Sequence, residues 1–164
     1  MLKLFFGIAV VGFCSACGYI FTKKYRRRKL FFTQMYEFNE RFISEISYYR
    51  RPLMEFSMKY TYKGEFEEFL SIYFHNMDKN TSFFAENLDK DVFYFLSKEE
   101  KILLEDYFQM IGKGDSHSQK NYFSSIKDTL NKTKTQSVLE CKKYGDLYIK
   151  LGFLCGLFIL ILML

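Results

Sequence analysis

The chain has 164 residues, with 24 Lys and Arg against 19 Asp and Glu and a formal net charge of +5. Six of the cations lie within residues 23–29, and all 19 acids lie between residues 30 and 150. Because this long middle part is slightly acidic, the charge distribution disfavours a basic nucleic-acid-binding domain. With 49% apolar residues, nine Gly and one Pro, the composition also disfavours disorder and an all-β fold.

The first element is an apolar segment, Leu4–Phe21, which at about 1.5 Å per residue is long enough to cross a membrane. A cleaved signal peptide is the alternative, since the run Cys14–Cys17 loosely resembles a lipoprotein cleavage site. However, Cys14 stands where such a site has Leu, and a cationic block follows directly. The block consists of Lys23, Lys24, Arg26, Arg27, Arg28 and Lys29. It predicts the cytoplasmic end of an uncleaved anchor, and its charges also suit anionic lipid headgroups, at about 1 kcal/mol each.

The C-terminal end repeats this arrangement in reverse. Leu151–Leu164 has no polar side chain, and the run extends back to Leu147 if Lys150 reaches out to the headgroups. Lys142 and Lys143 precede it, so both apolar ends carry their cations on the side of the central residues. The positive-inside rule therefore predicts a two-pass protein with a cytoplasmic centre. Its predicted parts are a span at 1–22, a basic segment at 23–29, a bundle at 30–146 and a span at 147–164.

One pair of small residues lies in the second predicted span. The spacing Gly152-x-x-x-Gly156 is typical of a helix face that another helix approaches closely.

The central residues are predicted to be helical. A first helix continues from the first span to Tyr49, on a stripe formed by Phe31, Met35, Phe38, Phe42 and Ile46. Pro52 is predicted to begin a second helix that runs to about Tyr62. The predicted third and fourth helices cover Phe66–Met77 and Ser82–Asp91, and Val92–Leu96 is ambiguous between helix and extended chain.

Two further helix starts have clear local signals. Ser97 and Glu100 form a capping-box pattern for a fifth helix, which Gly112 and Gly114 are predicted to end. Asp115 is predicted to cap a sixth helix that continues into the second span. The predicted fold is all-α, a bundle of about six helices hung from two transmembrane helices.

Residues with catalytic or metal-binding chemistry are few. Asp115, Ser116 and His117 are adjacent, but neighbours on one helical turn point in different directions, so a helix start is the better interpretation. His75 is predicted to be a surface residue, and Cys14-x-x-Cys17 has no second ligand pair. We expect no cofactor, no metal and no enzymatic activity.

Several patterns taken together resemble the stage III sporulation protein AB family. They are the apolar start after Met1, the Glu45-Ile46-Ser47-Tyr48-x-x-x-Pro52-Leu53 junction, the Gly112-x-x-Asp115-x-x-x-Gln119 turn, and the apolar tail that contains Gly152 and Gly156. The resemblance extends over essentially the whole chain, although residues 64–96 carry no signature.

The resemblance implies a helical bundle related to the cytoplasmic domain of type II secretion platform proteins. It implies a place in the channel between mother cell and forespore, on the mother-cell side. The expected partners are a secretion-type ATPase (stage III sporulation protein AA-like), other stage III membrane components and membrane lipids, with no nucleic acid. Self-association is left open. Glu45 and Gln119 are expected to bond across the bundle or to a partner.

Three alternatives have different functions. A platform component of another secretion or pilus machine is disfavoured, because full-length platform proteins carry two such bundles. A membrane-tethered enzyme using His117, Asp115 or His75 would need a pocket with shifted pKa values. A pore-former is disfavoured by the large, patterned central domain.

Overall fold

The computed structural model of the chain describes residues 2–48, 59–75, 88 and 91–163. These residues contain four α-helices and no β-strand: α1 at Leu2–Tyr48, α2 at Glu65–His75, α3 at Lys98–Gln109 and α4 at Ser116–Met163. A short 3-10 helix at Asp91–Phe93 lies between α2 and α3. The predicted all-α fold is therefore confirmed. Pro52, Leu53 and most of the predicted second and fourth helices lie outside the described residues.

The helix boundaries follow the local signals. Gly64 has a φ of +64°, and its carbonyl accepts the Glu68 N–H at 3.2 Å in the first turn of α2. Ser97 caps α3 with the complete capping box, because its hydroxyl accepts from Glu100 N–H while the Glu100 carboxylate accepts from Ser97 N–H. After α3, Gly112 has a φ of +78°, a left-handed conformation that glycine adopts without strain.

The predicted end of the second helix at Tyr62 is wrong. Residues 60–63 form a bend and an irregular segment. The side-chain amide of Gln34 replaces helical hydrogen bonds there, since its Nε2 donates to the Lys63 carbonyl at 2.7 Å and its Oε1 accepts the Lys63 N–H at 2.6 Å. Residues 92–96 are likewise neither strand nor α-helix: the 3-10 turn is followed by a bend in which Leu96 N–H donates to the Phe93 carbonyl.

The chain forms two compact units. The central bundle consists of residues 30–135, and the terminal helix pair consists of residues 1–29 and 136–164. Residues 136–146, which the sequence assigns to the bundle, belong by their packing to the terminal helix pair. The helices α1 and α4 each contribute residues to both units.

The core of the central bundle is built mainly from aromatic side chains. Phe38, Phe66 and Phe108 are almost completely buried, and the Phe38 ring centroid lies 5.9 Å from that of Phe66 and 5.6 Å from that of Phe108. Phe123 of α4 packs edge-on against Phe42 and Tyr107, both at 4.9 Å between ring centroids. The predicted stripe on α1 is confirmed, because Phe31, Met35, Phe38 and Phe42 all lie in this core. Edge-to-face packing is the arrangement that the charge distribution of aromatic rings favours.

Candidate functional site

The turn before α4 holds three of the family-motif residues. The Asp115 carboxylate accepts the Ser118 N–H at 3.0 Å, and hydrogen bonds from Ser118 lower the pKa of Asp115 below its usual value. The Gln119 side chain donates to the Gly114 carbonyl at 3.4 Å, so it stays within the turn. Gly112 lies in open space, where an added Cβ would meet no other atom within 4 Å. In this structure these residues shape the start of α4.

Glu45 lies at a different place, inside the central bundle. It is 5% exposed, and its Oε1 accepts hydrogen bonds from the Lys59 ammonium and, at 3.0 Å, from the Tyr60 hydroxyl. The hydrogen bond to Glu45 is the main cause that raises the pKa of Lys59. The Arg41 guanidinium lies 4.8 Å from the centroid of the Tyr60 ring. Glu45 therefore connects α1 with the segment that precedes α2.

The residues of the enzyme alternative lie at the ends of two different helices. His75 is exposed at the last residue of α2, and His117 is exposed in the first turn of α4. The Asp115 carboxylate is engaged by Ser118 in its capping role. Within the described part of the chain, no group of three His, Cys, Asp or Glu side chains could hold a metal ion.

Sequence reasoning did not identify Asn39, which is completely buried in the core. Its Nδ2 donates to the Phe123 carbonyl of α4 at 3.2 Å, and its Oδ1 accepts from the Tyr107 hydroxyl of α3 at 2.9 Å. One amide thus connects three helices. The available signal was its position, because Asn39 follows Met35 by four residues and so falls on the apolar stripe of α1.

The terminal helix pair is packed closely through glycines. An added Cβ on Gly152 would lie 2.6 Å from the Cys14 carbonyl oxygen, and one on Gly156 would lie 2.7 Å from Val11 Cα. From the other side, a Cβ on Gly18 would lie 2.5 Å from the Tyr148 carbonyl oxygen. Both glycines of the Gly152-x-x-x-Gly156 pattern therefore face α1 of the same chain, at distances that only a missing side chain permits.

The same pair is held at its polar end by a small polar and aromatic cluster. The Tyr25 ring stacks on Tyr144 at 5.1 Å and on Tyr148 at 6.1 Å. Arg28 is 13% exposed and donates to the Glu140 carboxylate at 2.5 Å. Of the other block residues, Lys23, Lys24, Arg26 and Lys29 are exposed, and Arg27 is partly exposed. Arg26 also lies over the Tyr19 ring at 5.2 Å.

In the described part of the chain, one helix is long and apolar enough to cross a membrane, namely α4 over Ser116–Leu162. Its apolar end supports the second predicted span. The span at the start of α1 and the sidedness of the centre remain predictions.

Fold and site together define a class: an all-α protein with a small aromatic helical bundle and a closely packed pair of terminal helices, one of which is long and apolar enough to cross a membrane. The family model of stage III sporulation protein AB matches residues 3–164, essentially the whole chain. The chain therefore belongs to the stage III sporulation protein AB family, as its sequence motifs indicated. No curated protein and no solved structure matches it.

Proposed function

We propose that this chain is a membrane platform of the sporulation channel that links mother cell and forespore. It holds its central bundle on the mother-cell side, where the bundle docks a cytoplasmic secretion-type ATPase and helps to assemble the channel with other stage III membrane components. The observation that carries this proposal is the family match over residues 3–164, which includes both terminal helices as well as the bundle.

A two-pass topology is part of this proposal. Within the terminal helix pair, Gly18 lies against Tyr148, Cys14 against Gly152 and Val11 against Gly156, so the two helices are antiparallel. The beginning of α1 and the end of α4 then lie at the same end of the pair. Cations flank each apolar segment at the opposite end, as the positive-inside rule requires for a cytoplasmic centre.

The platform role is proposed to be non-enzymatic. The conspicuous polar residues of the bundle, Glu45 and Asn39, bond to neighbouring helices and segments of the same chain. Asp115 caps a helix. Each of these groups therefore has a structural role, which suits a scaffold that presents a surface.

A clean deletion tests the role in development. We expect sporulation to stop after engulfment, and re-expression of the full chain to restore it. Re-expression of a chain truncated before Leu147 serves as the control for membrane anchoring and should not restore it. Normal sporulation in the deletion strain would contradict the proposed function.

Co-purification tests the ATPase partnership. The tagged full chain, solubilised in mild detergent from sporulating cells, should capture the secretion-type ATPase. An unrelated tagged two-pass protein is the control. If the deletion blocks sporulation and no ATPase is captured, the platform role stands without the docking.

Cysteine accessibility tests the topology. In a chain whose native cysteines are replaced by Ser, His117→Cys should be protected from a membrane-impermeant maleimide in intact cells, and a tag after Leu164 should be accessible. The reverse pattern would overturn the topology and the proposed ATPase docking with it.

A further inference from the structure

The contacts of the terminal helix pair define its register. Gly152 meets Cys14, Tyr144 meets Tyr25, and Glu140 meets Arg28. Along these contacts α1 and α4 run in opposite directions, and their register is kept to within a few residues. Lys142 and Lys143 of α4 therefore lie at the same level as Lys24–Arg26 of α1. Cations that are more than 100 residues apart in the sequence form one basic collar, defined as residues 23–29 together with Lys142 and Lys143.

The collar keeps a large excess of positive charge. Residues 23–29 and 140–146 contain eight cations and two acids, Glu140 and Asp146. Glu140 forms an ion pair with Arg28, which compensates its charge, and it also accepts a hydrogen bond from the Gln136 amide. Lys23, Lys24 and Lys142 are exposed, and Lys23 lies three residues before Arg26, on the same face of α1.

The surroundings of the collar match the border of a bilayer. Next to it, the exposed side chains become large and apolar on both helices, beginning with Phe21 and Ile20 on α1 and Leu147 and Leu151 on α4. Tyrosines lie at the transition, with Tyr19 under Arg26 and Tyr148 beside Phe21. Tyrosine is enriched at this depth of a membrane because its ring is apolar and its hydroxyl is polar.

From these observations we propose that the basic collar is a binding site for anionic phospholipid headgroups, shared by both terminal helices. Headgroup phosphates are attracted by the positive charge of Lys23, Lys24 and Arg26 from α1 and of Lys142 and Lys143 from α4, while the acyl chains lie along the apolar side chains. A soluble anion would use the cations but not the apolar surface that adjoins them, so the geometry favours a lipid. This inference rests on the membrane location in the proposed function, and it is independent of the ATPase docking.

Competitive lipid retention tests the proposal. The full chain, purified in neutral detergent, is incubated with equal amounts of phosphatidylglycerol and phosphatidylcholine, and bound lipids are counted by native mass spectrometry. We expect phosphatidylglycerol to be preferred. The quadruple variant Lys23→Gln/Lys24→Gln/Lys142→Gln/Lys143→Gln should reduce that preference by roughly tenfold or more, because each cation near the surface contributes to the attraction.

The matched control removes the same charge from exposed positions elsewhere, with Lys98→Gln/Lys113→Gln/Lys120→Gln/Lys132→Gln. It should retain phosphatidylglycerol as the native chain does. Helix content measured by circular dichroism verifies that both variants are folded. The preference should also weaken at high salt, since screening shortens the range of the attraction to about 3 Å at 1 M.

Two results would overturn the proposal. One is an equal loss of phosphatidylglycerol in the collar variant and in the control, which would indicate a general effect of net charge. The other is displacement of the lipid by glycerol phosphate at the same concentration, which would assign the collar to a soluble phosphate. Neither result would affect the deletion experiment, so this inference fails separately from the proposed function.

Discussion

At the scale of single residues, buried amides organise the central bundle. Gln34 bonds both the N–H and the carbonyl of Lys63, as a neighbouring backbone would. Asn39 bonds the Phe123 carbonyl and the Tyr107 hydroxyl in a core that is otherwise mainly aromatic. Because a buried polar group is costly without a partner, these bonds also restrict how the helices can pair.

Replacement of Asn39 tests this. Asn39→Ala should lower the free energy of unfolding by about 2 to 3 kcal/mol, because it leaves the Tyr107 hydroxyl without its acceptor and creates a cavity. Tyr107→Phe, which removes only the hydroxyl, should cost about 1 kcal/mol. Denaturant unfolding of the full chain in mild detergent measures both. Equal effects of the two variants would contradict the role assigned to the amide.

The partly buried hydroxyl of Tyr73 predicts that the folded protein loses stability at alkaline pH. Burial raises its pKa from the usual 10.0 to about 12, and its hydroxyl donates to the Phe108 carbonyl at 3.1 Å. A raised pKa means that the unfolded chain releases this proton first, so the contribution of Tyr73 is complete below pH 10 and is lost as the pH rises towards 12. In Tyr73→Phe, melting curves between pH 9 and 12 should fall less steeply with pH than those of the native chain. Parallel curves would show that Tyr73 does not contribute.

At the scale of elements, α3 and α4 begin where side chains satisfy free backbone N–H groups. Ser97 and Glu100 do so for α3 in both directions, and Asp115 does so for α4. The lowered pKa of Asp115 gives its cap a pH dependence: the contribution is present above the usual carboxyl pKa of 3.8 and is lost as the pH falls through the lower folded value. The first turn of α4 should therefore be less stable at acidic pH, where the Asp115 carboxylate is protonated.

The capping box of α3 should make a measurable contribution to the free energy of unfolding. Ser97→Ala removes the acceptor of the Glu100 N–H and should cost about 1 kcal/mol in the free energy of unfolding. Ser97→Thr keeps an acceptor and should cost less. The control is Ser124→Ala, an exposed position inside α4, where Ala is a good helix former. If Ser97→Ala and Ser124→Ala had the same effect in urea unfolding, the cap would not stabilise α3.

At the scale of the whole molecule, α1 and α4 each belong to two units with different chemistry. In the central bundle these helices contribute aromatic side chains, such as Phe42 and Phe123, to a core. In the terminal helix pair, they approach through positions without side chains, such as Gly18 and Gly152. The difference agrees with the proposed two-pass topology, because helices in a membrane associate by close contact of their backbones where lipid is as apolar as the side chains.

Two glycines of α1 and α4 provide a matched test. Gly152→Ala places a Cβ against the Cys14 carbonyl, so the backbones must separate and the melting temperature in detergent should fall. Gly12→Ala meets no atom within 4 Å on the exposed side of α1. It should leave the melting temperature unchanged or raise it slightly, since Ala favours a helix over Gly by about 1 kcal/mol. Equal shifts in both variants would contradict close packing at Gly152.

The parts of the fold that the sequence predicted correctly depend on residues that are close together in the sequence. The capping box at Ser97, the cap at Asp115 and the stop at Gly112 each involve groups within a few positions, so residue types alone indicate them. The predicted end of the second helix was wrong because the segment after it is bonded by Gln34, which lies 29 residues away from Lys63 in the sequence. Asn39 was missed for the same reason, since its partners are on α3 and α4.

The sequence by itself determined the all-α class, the family, the stripe of α1 and the two apolar ends with their flanking cations. The class, the stripe and the apolar ends depend on periodicity and composition, which are local properties, and the family resemblance depends on short motifs in a fixed order along the chain. Only the tertiary structure decided that Gly152 and Gly156 meet α1 of the same chain, and that Lys142 and Lys143 lie level with the block at 23–29. Helix pairing depends on which backbones can approach each other, and that follows from the shapes of both surfaces together. The block that accounts for the basic net charge is thereby joined to lysines from the other end of the chain.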